Sequence, residues 1–293
     1  MPVKVWFSKE ISPETILRLM DETGKTLPGR VAVKVHSGEK GNQNFLRPEF
    51  WAPVVEAVHG RVVECNTAYK GARNESGLHR ELIAYHGWDR YFDVDLMDEE
   101  GPDLELPVEN GKILGGNLVG SHLKNYDSML VLAHFKGHPM GGYGGALKQL
   151  SIGCASTAGK CRIHSAGVTD KQTEVWKNVA PQEKFLEAMA EAAGSVVRYF
   201  GGNMLFVNVM KNLSVDCDCC AVAEDPCMRD VGVLVSTDPV AVDRACLDLI
   251  YKATDDPGQK HFLERVESRR GAHTIEAAAE IGYGSVDYEL IEL

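Results

Sequence analysis

Four of the chain's eight cysteines fall within eleven positions, at Cys217, Cys219, Cys220 and Cys227. The run reads Asp216-Cys217-Asp218-Cys219-Cys220. Thiolates are soft ligands, suited to zinc and to iron–sulfur clusters. In extended chain a Cys-x-Cys pair puts both sulfurs on one side, and Cys220 points elsewhere unless the loop turns there. Three or four thiolates could therefore close on one centre. An iron–sulfur cluster or a single zinc or iron ion is the expected cofactor. The spacing is not the Cys-x-x-Cys of a zinc ribbon or a ferredoxin. Asp216, Asp218, Glu224 and Asp225 favour a divalent cation nearby but disfavour reduction of a cluster that is already anionic. Two other readings compete: a thiol redox pair, or a loop of partly buried cysteines acting as small hydrophobes.

Residues 134–148 form the second constellation, His-Phe-Lys-Gly-His-Pro-Met-Gly-Gly-Tyr-Gly-Gly-Ala-Leu-Lys. Gly137 and Pro139 oppose a helical zinc pair at His134 and His138. The glycines permit a tight turn feeding a helix, whose free N–H groups can hold an anion. Gly144, Gly145 and Lys148 are the expected contacts to a carboxylate or phosphate. The dinucleotide fingerprint is absent, because Leu147 stands where its last glycine belongs. Residues 153–164 resemble a phosphate loop but separate the glycines by five residues and place Cys161 at the magnesium position. No nucleotide motif results, and Cys154, Cys161 and His164 read as loop and core, with a ligand role as the competing reading. There is no Gly-x-Ser-x-Gly elbow and no His-Glu-x-x-His helix.

These groups need elements to hold them. Strands are predicted at 3–8, 30–36, 61–65, 128–134, 203–211, 231–236 and 285–293. Helices are predicted at 13–22, 48–59, 76–86 (capped by Ser76), from 144, at 181–200, and from Pro239 to about 251 behind the cap Asp238. The alternation implies an α/β protein with a mostly parallel sheet flanked by helices. Residues 1–293 read as one family domain, with two closely packed lobes at 1–125 and 126–293. Residues 92–123 are irregular, an excursion or a small antiparallel element. Ligands bind beyond the carboxyl ends of parallel strands. His36 and Glu39, Asn66 and Arg73, and His134, Lys136 and His138 all follow such ends, so a shared rim is expected.

Composition sets the limits. The 293 residues suffice for a real core. Lys+Arg 31 against Asp+Glu 42 gives a net charge of −11, unfavourable for nucleic acid or an anionic membrane. No apolar run approaches a membrane helix, and no signal-peptide core opens the chain. A cytoplasmic protein is expected, where a disulfide framework does not persist.

The stretches 134–153, 159–164 and 217–243 resemble the domain-of-unknown-function 362 family, whose members are often labelled iron–sulfur centre proteins. The resemblance rests on His-Phe-Lys-Gly-His with Gly-Gly-Ala-Leu-Lys after it, and on Asp-Cys-Asp-Cys. It rests also on Asp230-Val231-Gly232 leading to Ser236-Thr237-Asp238-Pro239-Val240-Ala241-Val242-Asp243. It implies a bacterial or archaeal cytoplasmic α/β protein with iron–sulfur binding. Many relatives carry an inserted ferredoxin module after the counterpart of His164, which this chain lacks. Cys220 and Cys227 go beyond the family's Asp-Cys-Asp-Cys. The expectation is a redox-linked metal or 4Fe-4S protein with Cys217, Cys219, Cys220 and Cys227 as ligands and a redox protein as partner. Lys136, His134 and His138 would carry charge stabilisation and proton transfer. His36, Glu39, Asn66 and Arg73 would orient a small anionic substrate. The competing expectations are a metal-dependent enzyme without redox chemistry, and a structural-zinc or assembly protein.

Overall fold

The computed structural model describes residues 2–293. The strands are β1 (Val3–Ser8), β2 (Val31–Lys34), β3 (Arg61–Glu64), β4 (Asp95–Leu96), β5 (Leu104–Leu106), β6 (Asn117–Val119), β7 (Ser128–His134), β8 (Lys136–His138), β9 (Gly142–Gly144), β10 (Met204–Met210), β11 (Gly232–Ser236) and β12 (Tyr288–Glu292). The helices are α1 (Pro13–Glu22), α2 (Pro48–Ala57), α3 (Ser76–Tyr85), α4 (Ala146–Cys154), α5 (Thr157–His164), α6 (Gln172–Val175), α7 (Gln182–Phe200), α8 (Pro239–Lys252), α9 (Gln259–Ser268) and α10 (His273–Glu280).

Eight strands form one sheet in the order β12-β1-β11-β10-β7-β2-β3-β4. All neighbours pair in parallel except those of β11, which runs against both β1 and β10. The mostly parallel sheet is the expected one; the reversed β11 is not foretold by its apolar run, which reads the same in either direction. Strands from residues 1–125 and 126–293 interleave, since β1 lies between β11 and β12 and β2 lies beside β7.

Helices cover both faces, so central strands are apolar on both sides rather than alternating. All seven residues of β7 are buried. Its Leu130 and Leu132 enter the cluster built with Ile16, Leu19, Trp51 and Val54 of α1 and α2. Its Met129 and Val131 enter the opposite cluster, with Leu147 and Leu150 of α4, Val196 of α7 and Ala245 of α8. Period-two side-chain alternation thus feeds two cores from one strand.

Helix starts follow local chemistry. Ser12 accepts from Thr15 N, and Asp238 accepts from Val240 N and Ala241 N ahead of Pro239. Ser76 differs: it lies inside α3 after Glu75, and its hydroxyl accepts from Asn66 Nδ2. In the irregular stretch β5 and β6 make a small antiparallel pair, while β4 extends the main sheet. The segment read as loop at 153–164 contains α5, capped by Ser156, which accepts from Gly159 N. No helix among the described residues is long and apolar enough to cross a membrane.

Candidate metal centre and cleft

The strands β2, β3, β7 and β10 run in one direction, so their carboxyl ends open on one rim. There the chain folds β8 against β9, and Gly137 N donates to Ser214 O at 2.8 Å. A Cβ at Gly137 would lie 2.3 Å from Val215 O, so only glycine lets the cysteine loop lie on this hairpin. The loop then turns, with Cys220 N donating to Cys217 O at 2.9 Å, and this swings Cys219 back beside Cys217. Asn42 clamps it by donating to the carbonyls of Cys217 and Cys220.

Asp218 roots the loop. Buried, it accepts from His134 Nδ1 at 2.9 Å and from Lys136 Nζ at 2.8 Å. His134 Nε2 donates in turn to Lys211 O at 2.6 Å. Burial pushes the Asp218 carboxyl up, but His134 and Lys136 outweigh it and hold it well below the usual range. The two groups read as a proton carrier and a charge stabiliser therefore meet the aspartate between the cysteines, beneath the loop.

On the upper side, one donor atom from each of His138, Cys217 and Cys219 lies within 4.8 Å of the others. Cys219 Sγ is 3.8 Å from His138 Nε2. Tetrahedral zinc, with bonds of about 2.3 Å to sulfur and about 2.0–2.1 Å to nitrogen, sets its ligand atoms about 3.5–3.8 Å apart. Two thiolates and one imidazole thus fit a single ion with one open position better than a cluster of four thiolates. Cys220 is half-buried at the cleft edge, outside the set. Cys227 is turned away, its N and Sγ both directed to Leu213 O. The cluster could hold a metal.

Cys217 is fully buried. Burial raises its thiol, yet the hydrogen bond from Cys219, Lys148 and His138 outweigh this and hold it well below the ordinary value. Lys148 Nζ donates to its sulfur at 3.4 Å. His138 Nδ1 accepts from the amides of Met140 (3.1 Å) and Gly141 (2.8 Å), so the neutral ring carries its proton on Nε2, facing the sulfurs. Metal-binding histidines ordinarily donate from the second nitrogen; here that polarity is reversed, so an ion on Nε2 has to displace the proton that faces the sulfurs.

Cys219 and Cys220 border a cleft of about 280 Å³ that also receives His36, Arg73, His138 and Lys148. Arg73 is buried and pairs with Glu39 at 3.2 Å, while Tyr69 OH accepts from Arg73 Nη2 at 2.6 Å. Burial first, then Arg73, depresses His36 well below its ordinary value. Glu39 thus anchors Arg73, and Asn66 is spent on Ser76 and His79. Gly144 and Gly145 do not reach the cleft. The amides of Ala146 and Leu147, at the helix start expected to hold an external anion, donate to Asp243 of α8 at 2.8 and 3.0 Å. A Cβ at Gly145 would lie 2.4 Å from Asp243 Oδ1, which explains that glycine.

Lys34 and Lys160 line the cleft and escaped the sequence reading, and His164, read there as loop or core, lines it too. Lys160 and His164 stand four apart on α5, which would have placed them on one face had the helix been recognised. His164 Nδ1 donates to Lys160 O at 2.7 Å, and burial lowers its pKa to about 4. The unfolded chain, near 6.5, binds the proton more readily. Stability from this group is therefore full above about pH 6.5 and falls as pH drops toward 4. The loss at pH 4 is about 3 kcal/mol. Denaturant unfolding between pH 7 and 4 is expected to be shallower by that amount in His164→Gln; an unchanged pH slope would count against it.

Fold and site together define an α/β protein with a cleft at the carboxyl ends of parallel strands and a His/Cys donor cluster at its edge. The chain belongs to the family described as Domain of unknown function (DUF362), which matches residues 31–248 and so includes every cleft residue named above. No curated protein matches the chain. Solved structures similar to it include the following two. One is the lactate racemase apoprotein from Thermoanaerobacterium thermosaccharolyticum, at 14% identity and a TM-score of 0.40, covering 71% of this chain and 51% of that one. The other is a Thermotoga maritima protein, at 12% identity and a TM-score of 0.42, covering 92% of this chain and 58% of that one. The chain thus spans between half and three-fifths of their lengths.

Proposed function

We propose that the protein is a metal-dependent enzyme acting on a small anionic molecule, with one zinc or iron ion held by His138, Cys217 and Cys219. The observation that supports this reading is the convergence of three donor atoms from two loops within 4.8 Å, at the edge of a cleft carrying Arg73 and Lys148. Three protein ligands leave a position for a reactant, the arrangement of catalytic rather than structural sites. Such an ion polarises a bound carbonyl or lowers the pKa of water. Lys148 balances the thiolate charge, Arg73, paired with Glu39, adds positive charge to the cleft wall, and the His134–Asp218–Lys136 network keeps both cysteines in register. Zinc would make the chemistry Lewis-acid; iron would add electron transfer to a redox partner.

A second reading rests on the His138 tautomer. With its proton on Nε2, the ring serves as a donor to thiolate sulfur, and the pair works as a metal-free thiol centre. One experiment separates the two. Protein purified without oxygen and reconstituted with zinc or iron is analysed for metal and visible absorption, beside the Cys217→Ser/Cys219→Ser variant. About one ion per chain, lost in the variant, is expected. No metal in the reconstituted wild type, with iodoacetamide modifying it and not the Cys217→Ser/Cys219→Ser variant, would overturn the metal reading in favour of the thiol one.

A further inference from the structure

Three buried lysines and one half-buried lysine surround the site, and their partners differ. Lys34 Nζ sits 2.6 Å from Glu64, Lys136 Nζ is 2.8 Å from Asp218, and Lys148 Nζ reaches the Cys217 sulfur at 3.4 Å. Lys160 is 5% exposed and lines the cleft, yet its Nζ donates only to Ala155 O, at 2.5 Å. Among the described residues it pairs with no carboxylate. Asp98, whose charge reaches it, is taken up by the amides of Asn66 and Thr157. An ammonium held out of water with unused N–H groups is costly until an anion completes it. The cleft around it is walled by Ala68, Met140, Ile152, Trp176 and Phe185.

We infer that Lys160 is the carboxylate-binding residue of this cleft, and that the ligand is a small monocarboxylate with a hydrocarbon body lying on the apolar wall. The carboxylate would take the free N–H groups of Lys160, directing the rest of the molecule along the cleft that His138 and Cys219 border. A phosphate monoester fits less well, because its second charge would find Lys34, Arg73 and Lys148 already paired with Glu64, Glu39 and the Cys217 sulfur. Burial lowers the Lys160 pKa, and a bound carboxylate would restore it. The inference rests on the cleft being the binding site proposed above, and it does not require the metal.

The test uses the full chain, metal-loaded and metal-free, with 3-phenylpropanoate and its neutral isostere 3-phenylpropanamide as probes, read by calorimetry and by fluorescence of Trp176. Wild type is expected to bind the acid about 10- to 100-fold more tightly than the amide, the range of one charge-assisted hydrogen-bond set. Lys160→Met should lose that preference while retaining its metal content. The acid–amide comparison in wild type needs no variant and stands even if Lys160→Met folds poorly. Equal affinity for acid and amide, or an acid preference kept in a folded Lys160→Met, overturns the assignment. Absence of any binding by wild type overturns it too. Loss of metal binding with the acid preference intact would instead remove the metal reading alone.

Discussion

Asp218→Ala is expected to lower the unfolding free energy by about 3–5 kcal/mol, the cost of removing one partner from a buried ion pair. The side chain is 1% exposed and bridges His134 and Lys136, themselves 3% and 3% exposed. Its removal strands a lysine that water cannot reach. Lys136→Met in the same chain should recover part of the loss, because it removes the orphaned charge. The second consequence is local. Cys217 and Cys219 flank this residue, so zinc affinity should fall by at least about tenfold even where the variant remains folded, as when a group orienting metal ligands is lost. Urea unfolding and a competitive zinc titration measure the two effects. A loss under about 1 kcal/mol would mean that the ion triad is not what holds the loop.

Asp243→Ala should cost about 4 kcal/mol, for a related reason. Four donors converge on that carboxylate: the amides of Ala146 and Leu147, Asn208 Nδ2 at 2.7 Å, and Tyr143 OH at 3.0 Å. Each buried donor left unfilled costs about 1–3 kcal/mol, and neighbouring losses do not add fully. Asp243→Asn keeps the shape but turns two hydrogens toward donors, so an intermediate loss is expected. Because α4 begins at Ala146 and carries Lys148, the same variants should raise the pH at which Cys217 ionises. Melting curves and the pH dependence of thiolate ultraviolet absorbance check both. Wild-type stability in Asp243→Ala would show that the helix start is held by something else.

Much of the frame is legible in the residue order. Strand 128–134 and helix 13–22 are found where their patterns put them, because an apolar run bounded by turn residues and a Ser-Pro start are local signals. The shared rim is legible too, since parallel strands must present their ends together. What escapes is contact between distant segments. His138 meets Cys219 across 81 positions, and no local rule distinguishes it from His134, which faces the other way onto Asp218. Cys227 looks like a fourth ligand by proximity in sequence, but the chain between it and Cys220 carries it to Leu213. The glycine-rich turn does hold an anion at a helix start; the anion is the chain's own Asp243. Lys34 and Glu64 carry no local signal of a partnership, and only the fold reveals them as a buried pair.

The placement of β1 has a consequence for biosynthesis. It is made before β2, and both of its neighbours, β11 and β12, are made after β10. At about 5–20 residues per second, more than ten seconds pass before Gly232 follows Ser8 out. During that interval the segment Val-Lys-Val-Trp-Phe-Ser has no partner for its backbone, and Val5 and Phe7, later buried, are open to other chains. Residues Lys4 and Lys9 within and beside it supply the charge that discourages such pairing. Closure of the sheet is thus a late, long-range event, and a nascent chain arrested before β11 would be a client for chaperones that hold extended apolar segments.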